Sequence, residues 1–296
     1  SDVEKETGCM DVKSIERVLS NRTKAILVVH QFGIPADMDK IMELAKQHDL
    51  KVIEDCAQAH GAKYNNKYVG TFGAIGVFSL NVNKSIQTGE GGICITDDEE
   101  LAYRLALIRN HGEAVVGPAK YENVVNIFGF NFRLTELQAA IAREQLKKIN
   151  KLNDHRLDLV EAFSRGLDNH PFLHPLSGRP GCYSTYYVYP LRYESGIARV
   201  EREEFVAALN AEGAQFYQGY VEPLYLQPLY QQQSLFKHSY PFSAPENRGH
   251  TARYEKGTCS VAELLHQKTM IINEHIRFPH KKRDIEQLIQ IVIKVT

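Results

Sequence analysis

The sequence predicts an α/β chain built on a mostly parallel sheet. Two observations carry this. Short apolar runs rich in β-branched residues, "KAILVV" (24–29) and "KVIED" (51–55), enclose a stretch of helical period. Two further strand-like runs, "GVFSL" (76–80) and "GGICITD" (91–97), precede the next helical stretch. Strand, helix and strand in close succession favour parallel pairing with helices on the sheet faces.

Each element has its own signal. "KAILVV" fits a buried strand. "ADMDKIMELAKQHDL" places Met38, Ile41, Met42, Leu44 and Ala45 at helical spacing. Asp97-Asp98 caps "EELAYRLALIRNHG", and Gly112 ends it. The stretch Leu134–His170 is long enough for two helices or one bent helix spanning between domains, with Thr135 capping its start. "CYSTYYVYPLRYE" (182–194) alternates and is tyrosine-rich, as a strand would be. "RVEREEFVAALNAEGA" is a helix ended by Gly213, residues 217–258 are loop-like, and "RDIEQLIQIVIKVT" is a closing amphipathic helix. At 296 residues the chain has room for about two domains. A boundary between 150 and 170 divides it into residues 1–155 and a smaller C-terminal α+β domain, 156–296. The opening, "SDVEKETGCMDVKSIERVLSNRTKAILVVH", has no lead-in strand or cap and reads like the middle of an α/β domain.

Composition excludes several partner classes. Formal net charge is -1 and no basic block is present, which argues against nucleic acid or an anionic membrane surface. No apolar run approaches the roughly 20 residues of a membrane span. Ser1–Asp11 is polar and acidic, unlike a signal peptide. Cys9, Cys56, Cys94, Cys182 and Cys259 are odd in number and form no C-x-x-C pair. They read as reduced thiols of a cytoplasmic protein, with no zinc site.

In an open α/β sheet, ligands lie beyond the carboxyl ends of the parallel strands. There "KVIED" ends in Asp55, with Gln58 close behind, and "GVFSL" carries Ser79 and leads to Lys84. An acid, an amide, a hydroxyl and an amine thus converge on one crevice. Each also has a plain structural reading: Asp55 as a helix cap, Ser79 as a turn hydroxyl, Lys84 as a solvated surface charge. "GEGG" is a weak signal, since glycine pairs mark many turns, and it is not a phosphate loop, since neither G-x-G-x-x-G nor G-x-x-x-x-G-K-[ST] occurs.

The joint pattern is more specific. "VIEDCAQAHGA", "VGTFGAIGVFSLNVNKSIQTGEGGICITDDEELAYRLALIRNHG" and "GFNFRLTELQAAIAREQL" together resemble the DegT/DnrJ/EryC1/StrS family of sugar aminotransferases. The resemblance runs along the whole chain. It implies the aspartate-aminotransferase-like fold (fold type I) and the cofactor pyridoxal 5′-phosphate (PLP), which supplies the electron sink. Lys84 then matches the family's Schiff-base lysine, which also shuttles the proton as a free amine. Asp55 matches the carboxylate that keeps the ring nitrogen protonated. Gln58 matches the residue near the 3′-oxygen, and Ala57 is small enough to lie against the ring. Ser79 matches a phosphate-binding hydroxyl. Asn131 matches an asparagine that reaches the neighbouring subunit's phosphate, which implies a homodimer with shared active sites.

The implied reaction moves an amino group from glutamate or glutamine to a keto-sugar, commonly nucleotide-linked, or a keto-cyclitol. Two alternatives stay open. One is a sugar dehydratase of the same family, although those enzymes carry histidine where Lys84 stands. The other is a non-catalytic relative or an inactive truncated form. The family pattern includes a further segment ahead of the part matched here, with a Ser/Thr turn at a helix N-terminus that holds the phosphate. Part of the phosphate cradle is therefore expected to be missing from this sequence. Tyr183, Tyr186 and His250 are candidates to touch a sugar, with ordinary packing as the alternative. His30 is a candidate to line the site. His60 and Cys56 read as structural.

Overall fold

The structure is a computed structural model, described for residues 1–112, 127–233, 236, 239–247 and 254–296. The chain forms two compact units. One comprises Leu19–Leu157 and Gly178–Tyr187; the other comprises Ser1–Val18, Asp158–Ser177 and Val188–Thr296. Two segments therefore cross the simple cut near residue 155: the first eighteen residues lie in the second unit, and 178–187 return to the first.

The first unit is built on a four-stranded sheet. Its strands are β1 (Ala25–Val29), β2 (Lys51–Asp55), β5 (Ile75–Ser79) and β6 (Gly92–Ile95), in the order β1-β2-β5-β6. β1, β2 and β5 run parallel, and β6 pairs antiparallel with β5. β3 (Lys63–Tyr64) and β4 (Lys67–Tyr68) form a small antiparallel sheet with Cys182–Tyr183, which draws the returning segment into this unit. The stretch 182–194 is thus two short strands, Cys182–Tyr183 and Tyr189–Tyr193, rather than one.

Strand alternation sorts the side chains between two faces. Val29, Asp55 and Val77 are in register, as are Leu27 and Ile53. The other face carries Val28, Glu54 and Gly76, all buried. The helix Met38–Gln47 lies against β2 and buries Met38, Ile41, Leu44 and Ala45. Leu27, by contrast, is 54% exposed.

The long stretch after residue 134 resolves into two helices, Glu136–Leu146 and Ile149–Gly166. Thr135 and Gln138 form a reciprocal capping box at the start of the first. In the second, Ile149, Asn153, Arg156, Val160 and Phe163 recur every three or four residues and all are buried.

The second unit holds an antiparallel sheet ordered Phe216–Gln218, Met270–Asn273, Tyr189–Tyr193, Leu173–Pro175. The helix Arg202–Ala211 packs against Phe216–Gln218, and Lys282–Val295 packs on that helix. Its core is aromatic: Tyr193 stacks on Phe205 at 4.8 Å, and Phe163 meets Tyr189 edge-on at 5.4 Å. Among the described residues no helix is long and apolar enough to cross a membrane.

Candidate active site

Asp55 is the last residue of β2 and Ser79 the last of β5. The register Asp55↔Val77 and the two-residue period place both side chains on the same sheet face. The Asp55 Oδ1 accepts the Ala57 N–H at 2.9 Å, an Asx turn that reverses the chain after the strand. No helix follows here, so Asp55 caps a turn rather than the helix the sequence allowed, and the turn occupies one carboxylate oxygen. Gln58 follows in the same turn, and its Oε1 accepts the Phe32 N–H at 2.7 Å. The Ser79 Oγ accepts the Asn81 N–H at 3.2 Å.

Lys84 lies in the connection between β5 and β6. That connection is internally tied. Lys84 N–H donates to Asn81 O at 2.9 Å, and Thr88 N–H to Leu80 O at 2.9 Å. Asn81 Nδ2 donates to Glu90 Oε1 at 2.7 Å. Ile86 is buried with Leu80 and Ile149 in a small apolar cluster. The Lys84 side chain is half-buried, and its Nζ lies 4.5 Å from the centroid of the Tyr187 ring. Burial holds the amine below the ordinary lysine value, against an opposing pull from the Asp55 carboxylate. Lys84 is thus partly enclosed within the field of the Asp55 carboxylate, and the solvated-surface reading of Lys84 does not hold.

His30 is not a lining residue. It is fully buried, and its Nδ1 accepts the Ala36 N–H at 3.1 Å. The other ring nitrogen, Nε2, lies 3.1 Å from Glu54 Oε2. Burial pushes the Cys56 thiol well up, keeping it protonated and unreactive. His60 is buried too, with its ring 5.6 Å from Phe78. Tyr183 donates its hydroxyl to Asp154 Oδ1 at 3.0 Å. Tyr186 is half-buried with a left-handed backbone (φ 45°). Asn131 is exposed and forms an isolated backbone bridge with Asn110. His250 lies outside the described residues.

Sequence reasoning passed over two neighbours of Lys84. Tyr187 was one aromatic among several in a tyrosine-rich run. Arg156 was not singled out at all, yet its Nη1 donates to Ser85 Oγ at 2.9 Å and to Thr185 O at 3.2 Å. The available signal was its place on the apolar stripe of its own helix.

Residues 1–246 match the model of the DegT/DnrJ/EryC1/StrS aminotransferase family. The chain is 37% identical over 240 residues to the L-glutamine:2-deoxy-scyllo-inosose aminotransferase of Micromonospora echinospora, covering 78% of this chain and 57% of that protein. It is 36% identical over 225 residues to the GDP-perosamine synthase of Escherichia coli O157:H7, covering 76% and 60%. The chain thus spans less than two thirds of the length of both relatives. Among solved structures, an aminotransferase from Psychrobacter cryohalolentis matches with a TM-score of 0.80 at 29% identity, over 100% of this chain and 74% of that one. The E. coli GDP-4-keto-6-deoxy-D-mannose-3-dehydratase with bound hydrated PLP matches with a TM-score of 0.78 at 25% identity, over 98% and 72%. These neighbours give the fold as α/β of the PLP fold type I.

Proposed function

Because the chain belongs to the DegT/DnrJ/EryC1/StrS aminotransferase family, we propose that it serves a PLP-dependent transfer of an amino group from glutamate or glutamine to a keto-sugar or keto-cyclitol. The observation that carries this reading is Lys84: a half-buried amine held below the ordinary lysine value, within the field of Asp55, at the carboxyl end of a parallel sheet. The donor set suits the cofactor: an amine for its aldehyde, a carboxylate for its ring nitrogen, an amide for its 3′-oxygen and a hydroxyl for its phosphate.

When bound, PLP supplies the electron sink for the carbon that gains or loses the amino group. This chain's residues do the rest. Lys84 would hold the aldehyde through Nζ. The same Nζ, free and with its proton affinity lowered by burial, would take the substrate proton and return it. Asp55 would keep the ring nitrogen charged by opposing its deprotonation. Gln58, Ala57 and Ser79 would hold the 3′-oxygen, the ring face and the phosphate.

The nature of the relatives supports the substrate class: one is named for glutamine and a keto-cyclitol, another for a nucleotide-linked amino sugar. The dehydratase neighbour shares the fold, but lysine at position 84 favours transfer over dehydration. We place the protein in the cytoplasm on its cysteine usage. We further propose a homodimer in which Asn131 reaches the partner's phosphate site. Apolar exposure beside Asn131 supports that arrangement: Phe130 and Phe132 stack at 4.9 Å, and Phe128, Leu137, Ile141 and Leu146 are all exposed. Analytical ultracentrifugation tests it, with a monomer at all concentrations counting against it.

The deciding experiment is borohydride trapping with PLP followed by peptide mapping. A stable adduct on Lys84, absent from Lys84→Ala, is expected. An adduct spread over surface lysines, or none on Lys84, removes the enzymatic reading.

A further inference from the structure

We propose that Arg156 is a positioning residue for Lys84, because its guanidinium ties the loop that carries the amine to the segment that carries Tyr187. The inference rests on the reading of Lys84 as the cofactor-holding lysine and deepens it. Arg156 is only 5% exposed, on the helix Ile149–Gly166. One nitrogen, Nη1, reaches two chain segments far apart in sequence: Ser85 Oγ at 2.9 Å and Thr185 O at 3.2 Å. Ser85 directly follows Lys84, and Thr185 precedes Tyr187 by two residues.

The same segment is fixed from its other side. Thr185 N–H donates to Gly33 O at 2.9 Å, and Tyr187 N–H donates to Phe32 O at 2.7 Å. Phe32 in turn donates its N–H to Gln58. The Tyr187 ring is therefore held by the turn that Gln58 supports, and the Lys84 loop is brought to it through Arg156. The result is the 4.5 Å separation of Nζ from the ring centroid.

That separation matters for the amine. The ring face favours the ammonium, whereas burial favours the neutral base. Among the described residues, the groups that face the amine are Asp55 from β2, His60 from the turn after it and the Tyr187 ring, while Arg156 acts on the same His60 from its helix. The two N–H bonds of a guanidinium nitrogen are fixed in one plane, whereas an ammonium rotates on a flexible stem and holds the same two acceptors less rigidly. Arg156 thus decides how closely the amine is enclosed, without touching it.

The test uses the full chain without cofactor. Competitive acetic-anhydride labelling across pH, read by mass spectrometry of the Lys84 peptide, gives the titration midpoint of this one amine. Arg156→Lys and Ser85→Ala are each expected to move that midpoint upward, toward an exposed lysine, because the loosened loop relieves burial. In both, the yield of borohydride-trapped PLP on Lys84 at limiting cofactor should fall several-fold. Unchanged midpoints in both variants overturn the proposal. So does a midpoint that shifts in Arg156→Met but not in Arg156→Lys, since Arg156 would then be a distant charge. If Arg156→Lys does not fold, Ser85→Ala decides alone. Shifted midpoints with no trapped adduct in any protein, the parent included, sink the cofactor reading and leave the positioning role standing.

Discussion

Glu54 Oε2 lies 3.1 Å from His30 Nε2, and neither side chain is exposed at all. The Ala36 N–H occupies His30 Nδ1, so the proton sits on Nε2 and is donated to the carboxylate. Glu54 also accepts the N–H groups of Gly70, Phe72 and Gly73, each at 2.7 Å. Burial opposes the charge on Glu54, but the hydrogen bonds from His30, Gly73 and Gly70 outweigh it and hold the carboxyl below its ordinary value of 4.5. The acid next to Asp55 is thus a core fastener. It binds the strand end to the loop that leads into β5.

Removing that fastener should be severe. Glu54→Ala strands three backbone donors and a histidine in the interior. The expected loss is more than about 3 kcal/mol, measured by urea unfolding. Because the folded carboxyl ionises more readily than the unfolded one, its contribution is present above pH 4.5 and fades on acidification below it. A loss under about 1 kcal/mol would mean that water satisfies those donors.

His60 sets a second pH dependence at higher pH. Burial, with the charges of Lys84 and Arg156 adding to it, holds its pKa down to about 4 from 6.5. Between those values the unfolded chain binds the proton and the folded chain does not. Stability should therefore fall as the pH drops through this window, by roughly 3 kcal/mol in all. His60→Leu should flatten the slope between pH 6.5 and 4.5 in unfolding curves. An unchanged slope would assign it to another group.

Asp55→Asn separates cofactor capture from turnover. The neutral amide still accepts the Ala57 N–H through its oxygen, so the turn survives and Lys84 should still trap PLP. Amino transfer should slow on the order of 10- to 1,000-fold, because the ring nitrogen loses its counter-charge. Stopped-flow single-turnover rates report this, and a parental rate would remove Asp55 from the chemistry.

Gly33 has φ +82°, and a Cβ there would meet Thr185 Oγ1 at 2.5 Å and the Gln58 carbonyl at 2.8 Å. Gly213 has a similar φ of +90° with nothing within 4 Å. Gly33→Ala should therefore cost more than Gly213→Ala, about 1–3 kcal/mol against roughly 1, in thermal unfolding. It should also push Gln58 and the 185–187 segment apart and so weaken PLP capture. Equal costs in the two variants would show that the clash relaxes freely.

Much of this was legible in the chain. β2 has the bounds its apolar run suggested, β1 differs by one residue, and Thr135 caps its helix. These signals are local: β-branched runs, helical period and a hydroxyl before a helical stretch act over a few residues. The placement of Asp55 and Ser79 at the ends of adjacent parallel strands was also readable, because parallel pairing aligns strand ends. The acid pair Glu54-Asp55 was not. One residue of strand phase sends Glu54 to the buried face and Asp55 to the open one, and only pairing with β1 and β5 reveals which face is covered.

By itself, the sequence determined the sheet's strands, their order of chemistry and the lysine around which a cofactor reading can be built. Tertiary structure alone decided which polar groups are enclosed. It drew residues 178–187 back to the first unit, set Tyr187 under Lys84 and turned Arg156 inward. Those pairings join segments distant along the chain, and no short-range pattern encodes them, since burial of a charge is settled by what packs over it.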